Sequence, residues 1–470
     1  MNIVLTFLPI AILITLLCVN IFLFENSMSG PNQLSLLLAS FIGAYIANKN
    51  GVQTHTLLEG IKDSIKSSAN AMIILLIIGG LTSTWILSGV VPAMIYYGME
   101  VINPDFFLVT TCIICAIVSI STGSSWTTAA TIGIALMGIG EILGINKGLI
   151  AGAIISGAYF GDKMSPLSET TNLAPSVSGS NLIDHIKYMT YTTIPSITIT
   201  LLLFFVISLL SSKNNSSFDE TNLLLNTIES HFYVGLELFI LPLVIALLIY
   251  YKSSAIKTLS IGLLSGLLFA YLFQYELVNQ INTYTNKTTI ETMIRTIFYG
   301  TDIRTNNELL NDLLIKDGMK GMFWIVILVI TSMTFGGIMY KGGFLQRITD
   351  LLLPKSPTNT DLIKSTSASC IFFNITTCDQ YMAIVIPGRM FKEIYKEHEL
   401  HSVNLSRTIE DSGTVTSVLV PWNSCAAYHA EILAINPLMY MPFCFFNIIS
   451  PWMTLLFAYG NIQIKKRKND

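Results

Sequence analysis

Directly behind the apolar run Leu149 to Ile155 the chain carries Asp162, Lys163, Glu169 and Asn172, all within residues 156 to 175. Ionisable groups at that depth mark a binding or conduction site by default, because a charge in lipid must be paired or solvated. Gly161 lets a helix end. Ser165 followed by Pro166 reads as an N-cap with proline in the first helical position, so a helix that breaks and restarts is expected here. The pattern returns later, where Glu410 and Asp411 precede Ser412, Gly413, Pro421, Trp422 and Asn423. Asp379 lies in a polar run with Asn374, Thr376, Thr377, Cys378 and Gln380. What these residues offer is oxygen chemistry. Carboxylates, hydroxyls and amides at Ser124, Ser125, Ser165, Ser168, Thr170, Asn172, Asn374, Thr376, Thr377 and Asn423 can replace the water around a hard cation. Helix N-termini restarting after Ser125 or Ser165 favour an anion instead. Both a cation and an anionic solute are therefore admitted.

Such side chains need a scaffold, and composition says what kind. The chain has 470 residues, 52% hydrophobic and 12% charged, with mean hydropathy +0.62, so the solvent of most of it is lipid. An all-α polytopic membrane protein is expected. The formal charge of −3 is distributed without any basic patch suited to nucleic acid. Seven cysteines lie in or beside apolar segments; Cys112 and Cys115 read as helix packing and no structural disulfide is expected. The first apolar run, Ile3 to Phe24, lacks a basic n-region and a small-residue cleavage site and reads as a retained span.

Taken in order, spans are expected at Ile3 to Phe24, Leu34 to Ala47 and Met72 to Tyr97. Between the last two, Leu57, Leu58, Ile61 and Ile65 oppose Glu59, Lys62, Asp63 and Lys66 in an amphipathic helix. A re-entrant hairpin is expected at about 108–138, since its arms of roughly 12 residues reach only about half of a ~30 Å core. The broken helix at about 148–175 follows, then a span from Tyr191 to Leu210. These make a first half, 1–210. A polar external linker, 211–231, leads to a second half, 232–470, with spans at Phe232 to Tyr251 and Ile256 to Phe273, a long polar excursion to Gly321 and a span from Phe323 to Phe344. The excursion holds an amphipathic stretch, Leu309, Leu310, Leu313 and Leu314 against Glu308, Asn311 and Asp312. A second hairpin at about 365–395, a second broken helix at about 405–435 and a last span from Met439 to Tyr459 close the series, with Lys465 to Lys468 behind it.

The two halves are expected to be inverted repeats. If both polar-centred segments are hairpins, five crossings separate the start of the third span from the start of its counterpart, and an odd number flips the second copy. The resulting ten crossings place 18 Lys and Arg inside and 7 outside with Lys163 in the membrane, which obeys the positive-inside rule with both termini cytoplasmic. Paired discontinuous helices meeting at mid-membrane indicate a secondary transporter rather than an enzyme.

Ser156 to Ala174, the run Thr377 to Tyr381 and the run Ile409 to Gly413 resemble the NhaC-type sodium/proton antiporters, and the likeness extends over the whole chain. The resemblance implies a secondary transporter of a bacterial cytoplasmic (inner) membrane, with sodium and proton as coupled ions and no other cofactor. Because the family includes malate/lactate antiporter-like members, coupled exchange of an organic anion or an amino acid is the alternative. The partners expected are the lipid bilayer and a small inorganic ion or small organic anion; a homodimer is left open. Sodium is then assigned to Asp162, Ser165, Asn172 and Thr377. Asp162 is the first choice for the group that binds sodium or a proton but never both, followed by Asp379, Asp411 and Glu410. The competing structural readings are an ion pair of Asp162 with Lys163, a tip cap for Asp379 and a packing role for His429. An intramembrane aspartyl protease using Asp162 and Asp411 is a remote alternative, since Tyr159 stands where its first motif glycine belongs and duplicated hairpins serve it no purpose. A channel is disfavoured, because hairpins entering from opposite sides suit alternating access.

Overall fold

The computed structural model describes residues 2–24, 29–211, 218–251, 253–307, 310–311, 314–352 and 357–467. These residues form helices, with no strand among them beyond two isolated bridges, the solution lipid imposes on a spanning chain that does not close a barrel. The protein is an all-α polytopic membrane protein. Among the described residues five helices are long and apolar enough to cross by themselves, Ile3–Asn20, Pro104–Thr122, Leu182–Leu210, Ala255–Phe273 and Gly318–Lys341, and three bent pairs raise the number to eight if each is one span. The helix Pro31–Lys49 buries Asn32, Gln33, Ser35 and Ser40, a polar load that keeps it out of that set.

Several boundaries differ from the sequence reading. The third span is two helices, Ala69–Leu87 and Val90–Val101, bent by 66° where Gly89 adopts φ +78. The last is bent by 52° ahead of Phe445–Tyr459. Within the linker, Phe218–His231 is a helix that turns by 87° into the next span, while 212–217 lie outside the described residues. Glu25, Glu308, Leu309, Asp312, Leu313, Asn215 and Lys468 are likewise outside the residues or side chains described. The amphipathic helix forms over Thr54–Ser67, but the face it buries is Leu57, Gly60 and Ser64, against Phe323–Lys341; Leu58 is 58% exposed. All seven cysteines are free thiols.

The long helix Leu182–Ser211 serves as a ruler for the site. Near its C-terminal end Phe205 stacks on Phe106, with ring centroids 5.8 Å apart. From there Phe107–Thr122 runs inward, turns at Gly123 (φ +67), and the return limb brings Gly140 back against Phe107 and Ile150. The helix Lys147–Met164 then runs inward beside the first limb. Gly157 and Gly161 let it approach so closely that a Cβ on either would sit 2.2 Å and 2.4 Å from the carbonyls of Cys112 and Ala116.

At the other end of the ruler, His185 and Tyr188 bond to Ser406 and Asn404 at 2.9 Å and 2.6 Å. Here a second pair of limbs, Asn359–Thr377 and Gln380–Glu397, turns at Cys378 (φ +56), and Thr366 meets Tyr395 between them at 3.1 Å. Ser402–Ile409, continued by a π-helical turn Glu410–Thr414, runs inward beside this pair and is tied to it by Ser367 and Ser412 at 2.7 Å. Thr192, which bonds to Asp411, is 13 residues from Phe205 and 10 from Leu182. At ~1.5 Å per residue Asp411 therefore meets the ruler about 20 Å from the Phe205 contact and about 15 Å from its Leu182 end.

Candidate functional site

Each break in the backbone contributes two adjacent ionisable residues, and their partners cross between the breaks. The Lys163 ammonium contacts Asp411 Oδ1 and donates to Ser450 Oγ at 3.2 Å, with the Phe446 ring 5.7 Å away. Asp411 Oδ2 accepts from Thr192 Oγ1 at 2.8 Å and from Thr454 Oγ1. Lys163, Asp411, Thr192, Ser450, Thr454 and Phe446 are all fully buried. The partner of Lys163 is thus Asp411 and not its neighbour Asp162, since successive residues of a helix point to different faces.

Asp162 is engaged elsewhere. Its Oδ2 accepts from the Ser125 N–H at 3.0 Å and from Ser125 Oγ at 2.7 Å, so the carboxylate sits over the start of the helical turn Ser125–Thr128. It lines a cavity of about 310 Å³ with the first tip (Ser124, Ser125, Thr127) and the first break (Ser168, Glu169, Thr170). Gln380 and Tyr381 of the second tip and Ser253, Ser254 and Thr258 complete the wall. Tyr381 donates to Glu169 at 2.5 Å, and Tyr428 stacks on Trp126 at 4.3 Å and donates to its carbonyl at 2.7 Å. Each tip therefore touches the break of the other half.

The helix after the first break restarts at Glu169, with Ser168 accepting from the Thr171 N–H at 3.3 Å as its cap. Ser165 and Pro166 do not start it; Ser165 Oγ donates to the Ile120 carbonyl at 2.7 Å and fastens the break to the first tip. Asn172 is exposed and folds its amide back on the carbonyls of Pro166 and Ser168 at 2.8 Å and 2.7 Å. Thr376 and Thr377 donate one turn back, to Phe372 and Phe373. The four residues assigned to sodium thus point in separate directions, and of them only Asp162 lines the cavity.

Asp379 accepts from the Met382 N–H at 2.9 Å as the cap of Gln380–Glu397. Asn374 donates to the Gly413 carbonyl at 2.6 Å and to Thr416 at 3.0 Å, and accepts from Asn423 at 3.2 Å, which closes the second tip on the second break. Ser124 caps the first tip by accepting from Thr127. His429 meets the Cys425 carbonyl through Nδ1 at 2.8 Å, as a packing residue does. Glu410 is wholly buried and neither carboxylate oxygen has a hydrogen-bond partner among the described residues.

Sequence reasoning missed Tyr381, Thr192, Ser450 and Thr454. The last two had a signal: Asn447, Ser450 and Thr454 recur at intervals of three and four on one face of an apolar helix, and all three are fully buried.

Residues 157–462 match the profile of the Na+/H+ antiporter family. Over 464 residues the chain is 34% identical to the Na(+)/H(+) antiporter NhaC of Alkalihalophilus pseudofirmus, covering 99% of this chain and 97% of that one. It is 33% identical to the malate-2H(+)/Na(+)-lactate antiporter of Bacillus subtilis, over 94% of this chain and 92% of that one. It is 34% identical to the arginine/ornithine antiporter ArcD of Halobacterium salinarum, over 96% of this chain and 90% of that one.

Proposed function

The chain belongs to the Na+/H+ antiporter family and is a secondary transporter that exchanges sodium ions for protons, and we propose that Asp162 is the carboxylate that holds the two ions in turn. The observation that carries this reading is the position of Asp162, fixed through one oxygen by Ser125 and set in the wall of the cavity. Two rival carboxylates are occupied, Asp411 by Lys163 and two threonines and Asp379 by its own helix start, and the third, Glu410, is not among the residues that line the cavity. Ser124, Ser125, Ser168 and Thr170 supply hard neutral oxygens around Asp162, the donor type a dehydrated sodium ion takes. A proton on Asp162 removes the charge that attracts sodium, so the ions compete.

The same reading takes 1–210 and 232–470 as inverted repeats in a bacterial inner membrane, with hairpins at about 108–138 and 365–395 and both termini cytoplasmic. In its favour, one tip starts from the Phe205 end of the long helix and the other from the His185 end. The cavity wall at Ser253 and Ser254 lies in a loop this topology puts on the cytoplasmic side. A second reading, exchange of an organic anion or amino acid, is favoured by a larger neighbouring cavity of about 680 Å³ that shares Tyr381 and holds Lys341, Arg389 and Asp63.

In proteoliposomes of purified protein, Asp162→Asn is expected to abolish sodium-driven proton movement while the protein stays monodisperse, because the amide keeps size and an acceptor but cannot titrate. In the parent, raising proton concentration should raise the apparent sodium constant. Exchange by Asp162→Asn at the parental rate would remove Asp162 from the role.

A further inference from the structure

Glu410 opens the π-helical turn Glu410–Thr414 of the second break and is wholly buried. Among the described residues neither of its carboxylate oxygens has a hydrogen-bond partner, and the Thr414 hydroxyl one turn on, which lies close to it, is also without one. The nearby ammonium of Lys163 is committed to Asp411 and Ser450. From the first break, Thr170 approaches Glu410, hydrogen-bonds Ser168 at 3.1 Å and also lines the Asp162 cavity.

A carboxylate removed from water with no donor bonded to it, and whose nearest ammonium is committed to another carboxylate, is strongly unfavourable as a bare anion, so a site built this way takes a proton or calls for a positive ion. The charges agree. Among Asp162, Lys163, Glu410 and Asp411, Lys163 cancels Asp411, which leaves Asp162 and Glu410 as two carboxylates without a bonded protein cation. The oxygens facing Glu410 are hydroxyls, and regular helical bonding lapses beyond Thr414 before the short turn Ser417–Leu419. Short π-helical turns inside helices recur at functional sites. We propose that Glu410, with Thr414 and Thr170, forms a second sodium site, separate from Asp162 and joined to it through Thr170. This rests on the reading that the protein binds sodium at mid-membrane, and it adds that two ions are held at once.

Equilibrium binding of radioactive sodium to the purified full-length protein tests it. The parent should bind two ions per chain, Glu410→Gln one, Asp162→Asn one, and the double variant none. Thr414→Val, which keeps the shape of the side chain, should retain both ions but weaken one by at least about tenfold, the order of a lost hydroxyl contact to a charge. It decides the matter if Glu410→Gln does not yield monodisperse protein. A parent that binds a single ion, an unchanged count in Glu410→Gln, or parental affinities in Thr414→Val would each overturn the second site. One ion lost in Glu410→Gln but none in Asp162→Asn would instead overturn the role of Asp162 and leave Glu410 standing.

Discussion

Replacing Lys163 by methionine tests which carboxylate it neutralises, Asp411 across the bundle or Asp162 beside it in sequence. The ammonium and Asp411 are both fully buried, so solvent does not discount their interaction. Lys163→Met would leave Asp411 with only the hydroxyls of Thr192 and Thr454. Stranding one member of a buried pair costs about 3–5 kcal/mol. Asp411→Asn on that background removes the stranded charge while keeping an acceptor for both threonines, so it should return about 2–3 kcal/mol, read as the coupling term of a double-mutant cycle. Asp162→Asn on the same background leaves Asp411 charged and should return nothing. The assay is the free energy of unfolding in mixed micelles for the parent, the three single and the two double variants. Recovery in Lys163→Met with Asp162→Asn, and none with Asp411→Asn, would refute the crossed pairing.

Cysteines introduced into a cysteine-free background should report the two faces: Asn306→Cys, on an exposed loop residue, should react with an impermeant thiol reagent from outside, and Lys466→Cys only from inside. Labelling of both from one side would remove the ten-crossing topology. The strap 463–467 should respond to pH through His401, which precedes the helix Ser402–Ile409 and caps it by accepting from the Val403 N–H through Nδ1. Partial burial, then the charges of Lys465 and Arg467, hold its imidazole below the usual histidine value, against the opposing pull of Asp184. The folded state therefore binds fewer protons there than the unfolded one, and its contribution is complete above about pH 6.5 and lost as pH falls through the depressed value. Hydrogen exchange at Lys465 and Arg467, whose neighbours His401 and Glu399 pair with the strap, should speed up on acidification, and His401→Asn, which keeps a cap without titrating, should flatten that response.

The fold was legible where one physical rule dominated. Apolar length placed most of the spans, and acids beside breakers placed the polar turns, because lipid tolerates neither charge nor free backbone without cause. The restart of the first broken helix was misplaced by three residues, since Ser165 and Ser168 are both good caps and only the tertiary bond from Ser165 to Ile120 excludes the first. The partner of Lys163 was not legible at all. Asp411 lies 248 positions away, and nothing local distinguishes it from Asp162.

That crossing has a consequence for coupling. Lys163 of the first break is held by Asp411 of the second, Tyr381 of the second tip by Glu169 of the first break, and Trp126 of the first tip by Tyr428 beyond the second break. Three contacts of different chemistry thus bind each half to the moving parts of the other. On the proposed role of Asp162, a cation arriving there changes the charge beside Lys163, whose one charged bonding partner among the described residues is Asp411, since Ser450 is neutral. Were Lys163 paired with Asp162, loading the first break would be electrically private to it. Exchange demands the opposite, that occupancy at one break be felt at the other before the protein changes the side it faces, and an ion pair shared by the two breaks supplies such a link.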